Sequence, residues 1–142
     1  GFLETRRSLG EEWRNWIGGR VMGGESGFGW LGVLAAGHRF GDQLDGSGTE
    51  IFAFSTFGTA DFINKDFGVS AADSEASGLA ETELDGGYRS TGINLIHRRY
   101  ITDHIHVIAA AEAELYSSDI GDSPIARDDY EAGLELSVVW HF

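Results

Sequence analysis

The last thirteen residues of the chain, YEAGLELSVVWHF (130 to 142), alternate without a break. Tyr130, Ala132, Leu134, Leu136, Val138, Trp140 and Phe142 take every second position, with Glu131, Gly133, Glu135, Ser137, Val139 and His141 between them. A strand sends successive side chains to opposite sides, so this segment has one apolar face and one mostly polar face. At roughly 3.3 Å per residue it spans about 40 Å, far longer than the roughly five or six residues of an ordinary globular strand.

The same alternation recurs upstream. Ile105, Val107, Ala109, Ala111, Ala113 and Leu115 share one side, against His104, His106, Ile108, Ala110, Glu112, Glu114 and Tyr116. Within 88 to 101, Thr91, Ile93 and Leu95 face one way and Ser90, Gly92, Asn94 and Arg98 the other, and Thr102-Asp103 joins the two segments as a tight hairpin. Residues 28 to 40 and 50 to 63 read as strands apolar on both sides, and a short turn at Asn64-Lys65-Asp66 leads into a further strand. Near the N-terminus, Ser8 and Glu11 have capping-box spacing, but a strand is preferred there over a helix. The predicted strands are 12 to 22, 27 to 40, 50 to 63, 67 to 72, 88 to 101, 104 to 117 and 129 to 142, in a single domain over 1 to 142.

Composition removes several function classes. Acids outnumber bases 23 to 10, for a net charge of -13, and a nucleic-acid partner would need Lys and Arg to displace phosphate counterions. With no cysteine there is no disulfide framework, thiolate zinc site or cysteine nucleophile. The longest uncharged stretch, Ser26 to Gly37, falls short of the roughly 18 apolar residues of a spanning helix. Twenty-one glycines against one proline, with 12% aromatics, suit strands and turns.

Long amphipathic strands belong either to a soluble barrel, apolar face inward, or to a membrane barrel, apolar face toward lipid. Crossing a bilayer takes roughly nine to eleven tilted residues, which the three C-terminal segments exceed. Trp140 and Phe142 lie at one end of the last strand and Tyr130 at the other, as two interfacial aromatic girdles require. Connections are short at Thr102-Asp103 and Asn64-Lys65-Asp66 and long at 41 to 49, 73 to 87 and 117 to 129, matching short periplasmic turns and long outer loops. The sequence therefore predicts an all-β fold: an antiparallel transmembrane β-barrel of the bacterial outer membrane, in contact with lipid and lipopolysaccharide. An odd strand count leaves the first and last strands pointing the same way, so about seven or eight strands of a barrel incomplete at its N-terminus are expected.

Four short boxes, in order over about residues 61 to 142, carry a resemblance: Phe67-Gly68-Val69-Ser70, Ser77-Gly78-Leu79, Asp122-Ser123-Pro124-Ile125 and the closing aromatic. They resemble the C-terminal portion of the MipA/OmpV family, the MltA-interacting outer-membrane proteins. Trp140 and His141 depart from the residues usual before the family's terminal Phe. The resemblance implies a longer chain and a non-catalytic scaffold linking a lytic transglycosylase to a peptidoglycan synthase through its periplasmic turns. Phe142, with Trp140 and Val138 on the same outward face, resembles the signal read by the barrel-assembly machinery. Fold does not determine function, so a small lipid-A-modifying enzyme, a passive pore and an adhesin are the alternatives.

No pattern assigns a catalytic, cofactor-binding or metal-binding residue. His104 and His106 with Glu112 and Glu114 lie on one predicted face, yet positions 104 and 112 are about 26 Å apart along a strand, too far for one ion. Arg89, Arg98 and Arg99 with Glu131 and Glu135 are expected as interior charge ladders. Serines 117, 118, 123 and 137 and His141 have no spacing that singles out a Ser-His-acid triad. The acids at Asp73, Glu75, Glu81, Glu83 and Asp85, and at Asp119, Asp122, Asp128 and Asp129, read as solvated loops, with calcium or magnesium bridging to lipopolysaccharide as the sharper possibility.

Overall fold

The computed structural model describes residues 1–10, 14–24, 27–41 and 46–141. Among these, seven strands form one sheet in chain order: β1 (Phe2–Leu9), β2 (Asn15–Gly23), β3 (Trp30–Phe40), β4 (Gly48–Gly58), β5 (Gly87–Tyr100), β6 (Ile105–Tyr116) and β7 (Tyr130–Trp140). Every neighbouring pair is antiparallel. Three helices, α1 (Ala60–Phe67), α2 (Ala71–Ser77) and α3 (Ser118–Gly121), lie in the two longest connections. No helix among the described residues is long and apolar enough to cross a membrane.

Directly paired residues share a face, so the register carries the alternation of β7 across the sheet. Leu134 pairs with Ala111, Ala111 with Leu95, Leu95 with Ile51 and Ile51 with His38. On the opposite face Glu135 leads through Ala110 and Ile96 to Glu50 and Arg39.

Side-chain contacts reveal which face is concave. Register places Arg6 of β1 in line with Gly18, Ala35 and Phe54, three strands away, while its partner Glu50 sits four residues further along β4. On a flat sheet their Cα atoms would lie roughly 19 Å apart, more than the two side chains can bridge. Arg6 Nη2 nevertheless donates to Glu50 Oε2 at 2.8 Å. The sheet is therefore curled around the face that holds Arg6, Glu50 and Glu135. It is not closed: β1 and β7 are its two edges.

Burial is inverted relative to a water-soluble domain. Leu134, Leu136, Val138 and Trp140 on the convex face are 89%, 74%, 70% and 69% exposed. The buried apolar residues include a small cluster of Ile63, Leu84 and Ile120, with Phe67 and Tyr116 against it, at one end of the sheet. A second apolar strip lies on the concave face, where Trp16, Phe52 and Phe54 follow one another at centroid distances of 5.5 and 6.3 Å. It matches the two-sided apolarity read for β3 and β4.

Four details differ from the sequence-based expectations. The strand predicted over 67 to 72 does not form; residues 60–67 and 71–77 are helical instead. Ser70 accounts for the second helix, because its hydroxyl accepts from Asp73 N–H as an N-cap, and Gly78 ends it in the left-handed conformation. The Asn64-Lys65-Asp66 turn is consequently the middle of α1, and β4 stops at Gly58 rather than at 63. A strand at Phe2–Leu9 restores the count to seven, while β2 begins at Asn15, the predicted positions 12 and 13 lying outside the described residues. Finally, Ser47, in the connection predicted as a long outer loop over 41 to 49, lies at the same end as the 101–104 turn, since Tyr100 N–H donates to its Oγ at 3.2 Å.

Candidate functional site at the capped end

The connections 59–86 and 117–129 fold together over one end of the concave face. Thr59 clamps the first to the start of β3: its N–H donates to the Trp30 carbonyl and its Oγ1 accepts from Trp30 N–H, both at 3.0 Å. Asn64 then acts as a backbone surrogate for Leu84. Its Oδ1 accepts from Leu84 N–H at 2.7 Å, and its Nδ2 donates to the carbonyls of Leu84 at 2.6 Å and Ala60 at 2.9 Å. Val69 and Thr82 exchange two backbone hydrogen bonds, at 2.9 and 3.0 Å, and close the segment into a loop.

Two sequence boxes meet here. Ser123 is buried and donates through Oγ to the Phe67 carbonyl at 2.5 Å, tying the Asp122-Ser123-Pro124-Ile125 box to the Phe67-Gly68-Val69-Ser70 box. Val69 is buried, Ser70 caps α2, and Ile120 between them is 1% exposed. Pro124 and Ile125 stay on the surface. Asn64→Ala should therefore loosen the cap by about 1–3 kcal/mol, because two buried backbone groups of Leu84 lose their partner. Limited proteolysis of the 78–86 segment, accelerated roughly tenfold, would register that loss.

Beneath the cap lies a polar cluster. Arg89 Nη1 donates to Glu114 Oε1 at 2.7 Å. The hydroxyl of Ser90 donates to the same Glu114 oxygen and is itself bonded to Thr56 Oγ1. The Arg89 guanidinium lies to one side of a T-shaped ring pair, 5.5 Å from the Phe67 centroid and 5.3 Å from that of Tyr116, the two centroids being 5.4 Å apart. A bulge brings Arg89 inside: Thr56 pairs with Ser90 but Phe57 pairs with Tyr88, so Arg89 is an extra residue opposite no partner. Ser90 is 0% exposed and its hydroxyl is fully engaged, so this cluster locks the cap to the sheet and leaves no room for a substrate at Ser90.

The predicted ladders are thus rearranged. Arg89 pairs with Glu114, Glu131 accepts from Tyr116 O–H at 2.7 Å, and Glu135 accepts from Ser137 at 2.6 Å. Arg99 pairs with Val107 and so shares the convex face. Sequence reading missed Asn64 and the role of Glu114; the position of Asn64, four residues after Ala60 and four before Gly68, was its available signal.

At the opposite end, His104 belongs to the turn just before β6, and its carbonyl accepts from His141 N–H at 2.8 Å. His106 stacks on His141, with ring centroids 5.0 Å apart, and is 4.9 Å from Tyr100. Among the described residues no three His, Asp or Glu side chains converge into a metal-sized group. Val138 and Trp140 share the convex face as expected, and Phe142 lies outside the described residues.

The fold places three of the four sequence boxes in one cap on a curled sheet, and residues 2–142 match the family described as MltA-interacting protein MipA. The chain belongs to the MipA family. The match extends well upstream of the residues 61 to 142 that carry the resemblance in sequence, so β1 to β4 belong to the MipA fold as much as β5 to β7 do. No curated protein and no solved structure matches the chain.

Proposed function

We propose that this MipA-family chain forms the wall of a β-barrel in a bacterial outer membrane and acts there as a non-catalytic scaffold for cell-wall enzymes. The convex face carries this proposal. It is apolar through the middle of β5, β6 and β7, and aromatic side chains mark its two ends. Trp30, Phe57, Tyr88 and Tyr130 stand exposed at the capped end, and Phe40 and Trp140 at the other. Ten residues separate Tyr130 from Trp140 on β7. That is roughly 34 Å along the strand, or about 25 Å along the membrane normal at the usual tilt, equal to the apolar band of outer-membrane barrels. In water such a face would be an aggregation hazard; against lipid it is the favoured surface.

In this orientation the cap points outward and the 101–104 turn lies on the periplasmic side, following the rule of short periplasmic turns. β1 and β7 run in the same direction, so fully antiparallel closure takes an odd number of strands between them. The family description names MltA, and a lytic transglycosylase of that kind is the proposed partner at the periplasmic end, with a peptidoglycan synthase as the second.

The test is affinity capture from solubilised outer membranes with the tagged full-length protein. A lytic transglycosylase or peptidoglycan synthase should co-elute, and should be lost when the 101–104 turn is replaced by Gly-Ser. Eluates free of both enzymes would remove the scaffold role. Recovery of the protein in the soluble fraction would remove the membrane placement as well.

A further inference from the structure

Away from the cap, the concave face holds a recess of about 400 Å³, lined by Arg6, Arg39, Glu50, Ile96 and Arg98 among others. Three guanidinium groups face one carboxylate there, and Glu50 is the only acid among the described residues that line it. Among the described residues that line it this is an excess of two positive charges, in a chain whose net charge is -13.

The arginines are held in place. Glu50 Oε2 alone takes Arg6 Nη2 at 2.8 Å and Arg39 Nε at 2.6 Å. A guanidinium has five N–H donors, so each of the two keeps most of its hydrogen-bonding capacity. The Arg6 Cζ also lies 3.6 Å from the ring centroid of Trp16, which is 6% exposed. Gly37 makes that seat: a Cβ there would come within 2.7 Å of the indole and of Phe52. Stacking fixes the plane of the guanidinium and so the direction of its donor fork. The side chains of Arg6 and Arg39 keep 32% and 30% of their surface open. Arg98 is exposed and pairs with no carboxylate among the described residues.

An interior charge ladder explains the bonds to Glu50 but not the surplus. Like charges gathered in a partly desolvated recess repel one another, and nothing in the fold requires Arg98 to join the pair. An anion seated among the three forks relieves that repulsion, and planar forks match oxyanions in a two-point fashion. The volume lies at the lower end of the roughly 300–1,000 Å³ range of small-molecule sites.

We propose that this recess binds a small ligand through an oxyanion, either a carboxylate or a phosphate, held by Arg39 and Arg98 with Arg6 as the stacked, pre-oriented third donor. The site is independent of the scaffold role, so an enzyme capture that fails leaves it standing.

Calorimetric titration of the full-length protein in detergent tests it with three probes: inorganic phosphate, N-acetyl-alanyl-alanine, and the same dipeptide with an amidated C-terminus. At least one of the two anions should bind, and the amide should not. Arg98→Gln, which breaks no ion pair among the described residues, and Arg39→Gln should each weaken binding about tenfold, the worth of one charge-assisted bond. Phosphate binding alone assigns phosphate-bearing ligands, and dipeptide binding alone assigns peptide carboxylates. The proposal is overturned if neither anion binds at millimolar concentration, if the amide binds equally well, or if Arg98→Gln, folded by circular dichroism, binds as the parent does.

Discussion

Leu134→Arg should cost about 2–4 kcal/mol of stability in a bilayer, and less than about 0.5 kcal/mol if the convex face meets water. The two environments give such different answers because Leu134 is 89% exposed and so loses almost no protein contact when replaced. The whole effect then reports what surrounds the side chain. Leu134 also lies near the middle of β7, between Tyr130 and Trp140, where a charge is furthest from either aromatic end and cannot easily reach the interface. Urea unfolding in lipid vesicles, read by heat-modifiable gel mobility, measures the difference. Glu135→Gln, one residue along on the concave face, is the control and should change little. An unaltered unfolding midpoint for Leu134→Arg would rule out a lipid-facing convex surface.

Glu114→Ala should destabilise the protein by about 3–5 kcal/mol, the usual result of leaving a buried charge without its partner. The Arg89 and Glu114 side chains are only 15% and 12% exposed, so water cannot readily replace the lost carboxylate. Ser90 would lose its acceptor in the same step. Glu114→Gln retains a hydrogen-bonding oxygen and should cost less, about 1–3 kcal/mol. The double replacement Arg89→Met with Glu114→Leu should recover most of the loss, since removing both charges also removes their desolvation cost. Denaturant midpoints for the parent and the three variants measure these differences. If Glu114→Ala proves neutral, the cap is held by its apolar cluster alone.

The cap shows where sequence reading stopped. Phe67, Val69, Ser70 and Ser123 belong to the sequence boxes, yet 67 to 72 reads as a short strand following the turn at Asn64-Lys65-Asp66. A hydroxyl cap on α2 and the amide of Asn64, serving as a substitute strand for Leu84, outweighed that short pattern. A six-residue segment carries little weight against a few well-placed local hydrogen bonds. Eleven residues of alternation, as on β7, prevailed.

What the sequence determined by itself was the pair of faces. Strand geometry has a period of two and paired neighbours share a side, so Leu134 to Trp140 and Ile105 to Leu115 lie together in every register that keeps both apolar sets on one face, and a slip by one residue would separate them. Which face is hollow, and which charges meet across it, came only from the curl that joins Arg6 to Glu50 over three strands. The bulge opposite Phe57 adds the last correction. Alternation alone sets Tyr88 beside Ser90 and turns Arg89 away, whereas the extra residue sends Tyr88 out to Phe57 and Arg89 in to Glu114. A bulge is chosen by the partners it brings together, and those partners, on β4 and β6, are far away in the chain.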